Sequence, residues 1–169
     1  MTKADRSPAD HDGGRARLAS HSAFQLAQLG SHIKGRFTAH LAPLNIAPRH
    51  FDMLALLTDT DGLTQQQIAE ELNIHRNVMV GLVDELEARG LAERRRHPTD
   101  RRAYTVHLLP AGRELLRKAD RIFDGFENDE LLATLTTAER QTLAELLRRV
   151  AAAAGLHRGV HPAFHGSPE

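Results

Sequence analysis

The stretch GLAERRRHPTDRR, residues 90–102, continued by AYTVHLL to Leu109, decides how this chain is read. Five arginines and a histidine surround one Pro-containing turn, and the flanking runs 91–95 and 104–108 have strand composition, with HPTD turning the chain between them. Just upstream, Met79, Leu82, Val83 and Leu86 recur at helical spacing over residues 75–89 and make a single apolar stripe, ended by Gly90. Before that, Thr64 with Gln67 three residues on forms a capping box for a helix through Ile68, Ala69 and Leu72, and Asn73 is placed to close it in a left-handed conformation. Two helices joined by so brief a turn make a helix-turn-helix. The basic hairpin is then its wing.

Working outward, residues 1–17 are polar, hold Pro8 and the Gly13-Gly14 pair, and read as a flexible arm. Residues 18–41 carry Leu26, Leu29, Ile33, Phe37 and Leu41 at three- and four-residue steps, the pattern of an amphipathic helix stopped by Pro43. Pro48 opens a short helix expected to bury Phe51, Leu54, Ala55 and Leu57. Pro110 begins a long helix with Leu115, Leu116, Ala119, Ile122, Phe123 and Phe126 on one face. Thr136 and Glu139 form a second capping box, and the last helix carries Leu143, Leu146, Leu147, Val150 and Ala154. From Gly155 the tail reads as loose. The expected fold is mainly α with a small β-hairpin wing, a winged helix-turn-helix core over about 48–109 within a domain of residues 18–154. The helices of 18–41 and 110–154 show more apolar face than so small a domain can hide, so they are expected to form a dimerisation region.

Composition narrows the function. The 169 residues carry no net formal charge, yet residues 91–102 hold five arginines against Glu93 and Asp100, while residues 120–145 are strongly acidic. A concentrated basic patch steers a polyanion in a way that the average conceals. There is no cysteine, which removes disulfides, thiolate zinc sites and thiol redox switches. No run is apolar enough for a membrane span and the N-terminus lacks a signal-peptide core, so the cytoplasm is expected and no membrane partner. Trp is absent and aromatics are scarce, which argues against base stacking on an aromatic platform.

In a helix-turn-helix, the N-terminal residues of the second helix meet base edges in the major groove. Here these are His75, Arg76, Asn77, Val78, Val80 and Gly81. Arg76 suits guanine, Asn77 suits adenine, and the valines suit thymine methyls. Gly81 would allow close approach of the backbone. In the wing, Asp100 and Arg102 have the spacing at which a carboxylate orients a guanidinium for a narrow minor groove, leaving Arg94, Arg95, Arg96 and Arg101 for phosphates.

The segments LAPLNIAPRHFDMLALL, LTQQQIAEELNI, VMVGLVDELEARGLAERRR, HPTDRRAYTVHLLPAGREL and LTTAERQTLAELL together resemble the MarR family of bacterial regulators. The wing is the most specific, with Asp100, Arg102, AYTVHL and the PAG helix start. The resemblance implies a homodimeric transcription factor on a double-stranded DNA operator, most often a repressor, released by a small aromatic or carboxylate effector. Leu109 stands where the family commonly has a capping Thr, and His75 where a small polar or acidic cap is common. The absence of cysteine excludes the family's thiol-based peroxide sensors.

The same resemblance motivates an effector pocket at the junction of the first two helices with the long one, where Arg36, His40 and His50 are the polar candidates beside Phe37 and Phe51. No metal is expected. His157, His161 and His165 are broken up by Gly159 and Pro162, and His32, His40 and His50 are scattered. No catalytic constellation or nucleotide-binding loop is present, so an enzyme is not expected. Two alternatives remain beside the DNA reading: a winged-helix protein-interaction module, in which the basic hairpin grips an acidic protein surface, and a metal-responsive regulator.

Overall fold

The computed structural model describes residues 12–100 and 102–156. Seven α-helices and three short strands follow in the order α1 (Asp12–Ala19), α2 (Ser22–Leu41), a 3-10 turn (Ala42–Leu44), α3 (Pro48–Asp59), β1 (Leu63–Thr64), α4 (Gln65–Glu71), α5 (Arg76–Ala88), β2 (Ala92–Arg96), β3 (Tyr104–Leu108), α6 (Pro110–Gly125), a π-helical turn (Phe126–Leu131) and α7 (Thr137–Ala153). The chain divides into two compact units, residues 1–39 and 40–169.

In the first unit, the single helix expected over 18–41 is interrupted. Ser20 Oγ donates to Arg17 O at 2.7 Å and Gln25 Nε2 donates to Ala19 O at 2.7 Å. Side chains thus take up carbonyls that a continuous helix would use, and the chain restarts at Ser22. Residues 12–17, read from sequence as part of the arm, lie in α1. Leu18, Phe24, Leu26 and Leu29 are exposed, whereas Phe37 is buried.

The second unit is organised around α5. Met79, Leu82, Val83 and Leu86 are all at most 2% exposed and meet Met53, Leu54 and Leu57 of α3, Ile68 of α4 with Leu72 just beyond its end, and Val106 of the sheet in one core. The helix ends are built as their residues dictate. Thr64 and Gln67 exchange their bonds, with Gln67 N to Thr64 Oγ1 at 3.2 Å and Thr64 N to Gln67 Oε1 at 2.8 Å. Asn73 has φ +51° and turns the chain into α5. At the far end Gly90, with φ +64°, lets its own N–H reach Glu87 O and the Leu91 N–H reach Leu86 O, both at 2.9 Å. That is the left-handed glycine stop.

The sheet is antiparallel in the order β1-β3-β2, with Ala92 opposite Leu108 and Arg96 opposite Tyr104. The strand β1, two residues pairing Leu63 with Val106 and Thr64 with Thr105, was not anticipated. Two residues are too few for any alternation to show. The root of the wing packs tightly against α6: a Cβ on Gly112 would fall 2.5 Å from Leu108 Cδ1 and inside van der Waals distance of the Leu91 carbonyl.

The end of α6 passes into the π turn, which Arg140 of α7 ties down by bonds to Asn128 Oδ1 (2.6 Å), Asn128 O (3.2 Å) and Leu135 O (3.1 Å). The capping box of Thr136 and Glu139 forms. No residue of α7 is buried, and Leu146, Leu147 and Val150 are 48%, 40% and 55% exposed. Its apolar face is complete, and uncovered.

Because a Cβ at position 112 would meet the backbone carbonyl of Leu91 as well as Leu108 Cδ1, Gly112→Ala is expected to lower unfolding free energy by about 1–3 kcal/mol in urea titrations, the usual cost of overpacking. An unchanged midpoint would show that α6 can lift off the wing root freely.

Candidate nucleic-acid interface

Helix α5 divides lengthwise. Its stripe faces the core, and at its N-terminal half His75, Arg76, Asn77, Val78, Val80 and Gly81 are all exposed. Val78 and Val80 are 46% and 40% exposed, an apolar presence that water does not favour. Nothing lies within 4 Å of a Cβ built on Gly81, so that position is open toward solvent. The departure noted at His75 is resolved locally: its Nδ1 accepts from the Asn77 N–H at 3.2 Å, so an imidazole does the work of a small polar cap.

The turn of the wing is held by its own side chains. His97 Nδ1 accepts from the N–H groups of Thr99 (3.3 Å) and Asp100 (3.1 Å), and Asp100 Oδ1 accepts from the Arg102 N–H at 2.9 Å. Asp100 therefore shapes the main chain at Arg102, where the sequence suggested a bond to its guanidinium. Arg96 and Arg102 are exposed; Arg101 lies outside the described residues.

Two arginines differ from the phosphate contacts expected of them. Arg94 Nη2 lies 2.7 Å from Asp84 Oδ1, Arg94 Nη1 is paired with Glu87 Oε2, and the Arg94 N–H donates to Glu87 Oε1 at 2.6 Å. Strand alternation explains this. Arg94 shares the inward face of β2 with buried Ala92, and Asp84 and Glu87 stand three residues apart on α5, where one guanidinium reaches both. Arg95 is paired with Glu93 on the outer face. The Arg94 clamp was legible in principle from that alternation combined with the spacing on α5.

Two further polar clusters support α5 and the sheet. Glu85 Oε2 lies 2.6 Å from His50 Nε2, and Arg89 donates to the carbonyls of Asn45 (2.7 Å) and Leu44 (3.2 Å). Asp61 takes the Leu108 N–H (2.9 Å) and His107 Nδ1 (2.9 Å), while His107 Nε2 meets Thr105 Oγ1 at 2.9 Å. Burial raises the Asp61 carboxyl, but these bonds from Leu108 and His107 more than offset it and hold it below its ordinary value.

The effector candidates His40 and His50 do not share one environment. His50 is buried, 6% exposed, with both ring nitrogens engaged: Nδ1 accepts from the Ala47 N–H at 2.9 Å and Nε2 meets Glu85. Its ring reaches back from the first turn of α3 to take the N–H of Ala47, whose own side chain has no acceptor to offer the helix, and that engagement removes it from a ligand-facing position. His40 Nε2 stands 3.3 Å from Glu130, with its ring 5.1 Å from that of Phe126, and Phe123 links Phe126 to Phe51 through ring centroids 6.4 Å apart. Arg36, exposed on α2, belongs to the other unit. Among the described residues, no three His, Asp or Glu side chains are grouped to hold a metal, and no helix is long and apolar enough to cross a membrane. The tail histidines lie outside those residues.

The sequence model of the MarR family matches residues 44–103, the span from the 3-10 turn to the wing. The solved structure of the transcriptional repressor CouR bound to a 23-mer DNA duplex is 31% identical, with a TM-score of 0.70 over 79% of this chain and 94% of that one. The chain belongs to the MarR family. It is 34% identical over 105 residues to a transcriptional regulatory protein assigned to the hcr operon of Thauera aromatica, a match covering 62% of this chain and 63% of that relative's length. Wild-type MarR of Escherichia coli in its apo form is 25% identical, with a TM-score of 0.65 over 75% of this chain and 93% of that one. The matched MarR-family span contains α3, α4, α5 and the first long strand of the wing, β2, and ends just before β3.

Burial holds the His50 imidazole below its ordinary value, against the upward pull of Glu85. The unfolded chain takes up this proton near pH 6.5 and the folded protein only at lower pH. The contribution to stability is therefore complete above about pH 6.5 and is lost as pH falls through the folded value. Urea midpoints measured from pH 7.5 to 5 should fall more steeply for wild type than for His50→Gln. Parallel curves would place the pH dependence elsewhere.

Proposed function

We propose that this protein is a homodimeric, sequence-specific double-stranded DNA-binding transcriptional regulator, a ligand-responsive repressor of the cytoplasm with no catalytic role. The observation that carries this reading is the division of α5. Its N-terminal half exposes a guanidinium, a carboxamide and two valines, while Asp84 and Glu87 in its C-terminal half clamp Arg94 of the wing. Recognition helix and basic hairpin form one body, so a groove and its flanking backbone are met together. CouR, the 31%-identical relative, is described as a repressor bound to a duplex, which favours DNA over an acidic protein surface.

In this reading Arg76 bonds guanine, Asn77 bonds adenine, and Val80 with Val78 touches thymine methyls, with Gly81 bringing the backbone close. His75 holds the helix start. Arg102, on the turn that Asp100 shapes, enters the minor groove, and Arg96 and Arg101 serve phosphates. The exposed leucines of α2 and the bare face of α7 are covered by a second copy, whose recognition helix lies about one helical turn away along a pseudo-palindrome. The effector is a small aromatic or carboxylate molecule taken beside His40 and the phenylalanines of α3 and α6. An anionic one would compete with the nearby Glu130 carboxylate for the side of His40 that carries Nε2.

The engaged state of Arg94 separates two variants. In fluorescence anisotropy on an operator selected from random DNA, Arg102→Ala should lose affinity and reduce the slope of log K against log salt by roughly one unit. Arg94→Ala should leave that slope nearly unchanged. Wild-type behaviour of Arg102→Ala would sink the wing contact. Separately, Leu147→Glu should convert the dimer to monomer in sedimentation velocity; a persistent dimer would move the interface off α7.

A further inference from the structure

We infer that Glu85 is a positioning residue, which through His50 fixes the recognition helix against the start of α3; this rests on the DNA-binding reading above. Glu85 is exposed on α5 outside its apolar stripe, one turn beyond Gly81. Its Oε2 stands 2.6 Å from His50 Nε2, and its Oε1 is 3.9 Å from Arg49. The His50 tautomer is set by the opposite side of the ring. Because Nδ1 accepts the Ala47 N–H, the proton sits on Nε2 and points at the carboxylate. The imidazole is buried and the Glu85 carboxylate is half exposed, so without Glu85 that N–H would lose its protein acceptor and the link between the two helices.

The link has a definite mechanical meaning. His50 is in the first turn of α3, and Arg89, four residues beyond Glu85, holds the carbonyls of Leu44 and Asn45 just before it. The C-terminal half of α5 is thus tied at two points to the corner formed by residues 44–50. The remaining clamp, Asp84 and Glu87 on Arg94, joins α5 to the wing, which moves with it. Glu85 and Arg89 are therefore the polar ties by which α5 and the wing are held at one angle to α3.

Charge and geometry make opposite demands at this position, and that separates a positioning role from any other. Removing a carboxylate from a duplex-binding surface relieves repulsion and ought to tighten DNA binding. Removing a positioning residue ought to weaken it. Glu85→Gln keeps an oxygen for the Nε2 proton and discards only the charge.

The test uses full-length wild type, Glu85→Gln and Glu85→Ala, each checked for folding by circular dichroism. Operator affinity should fall about tenfold for Glu85→Ala and stay level or rise for Glu85→Gln, with equal salt slopes in all three. Amide hydrogen exchange of α5 in the free protein should quicken for Glu85→Ala alone. Equal or tighter DNA binding by Glu85→Ala, or unaltered exchange in α5, overturns the inference. Should wild type bind no duplex, the proposed function falls, while the exchange measurement still decides whether Glu85 holds the helix.

Discussion

Everything in the second unit turns on the way α5 is held. Its four stripe residues are sealed from water, and each large aliphatic side chain so buried contributes on the order of 1.5–3 kcal/mol. That adhesion fixes which side of the helix is left outward, but a greasy stripe alone permits sliding and rolling. The charged residues beyond the stripe remove that freedom. Asp84 and Glu87 share Arg94 of the wing, Glu85 binds His50 in the first turn of α3, and Arg89 binds the carbonyls of the preceding corner. Hydrophobic burial supplies the energy, and directional polar bonds supply the angle.

The same arrangement redistributes charge. Formal counting gives the hairpin five arginines, yet Arg94 is consumed by two carboxylates of α5 and Arg95, still exposed, is paired with its strand neighbour Glu93. The positive field outside the protein is smaller and more local than composition suggests, and it is concentrated around the turn. An arginine in a basic run is not automatically a contact; its place on the pleat decides whether it faces the solvent or the next helix.

Much of this was legible in the residues, and the limits have physical causes. The capping boxes at Thr64 and Thr136, the left-handed Asn73 and the glycine stop at Gly90 depend on chemistry within a few residues of chain, and each formed as read. The stripe of α5 follows from period alone. What escaped were relations across distance. The pairing of His50 with Glu85 spans 35 residues, and that of Asp61 with His107 spans 46. No local pattern marks either one, so His50 looked like a polar group near a cavity when its ring is engaged at both nitrogens, by Ala47 and Glu85. The break at Ser20 was missed because apolar spacing continues across it while a hydroxyl competes for the carbonyl.

Gly112 has an effect on the hairpin as a whole. With no side chain there, α6 presses directly on the backbone at Leu91 and on Leu108, the two ends of the wing's base. A hairpin gripped that closely at its root cannot rock on its stem. A duplex whose flanking groove did not match the fixed reach of the loop would have to bend or narrow to meet it. Sequence preference would then extend to base pairs that no side chain touches, through how readily those steps deform.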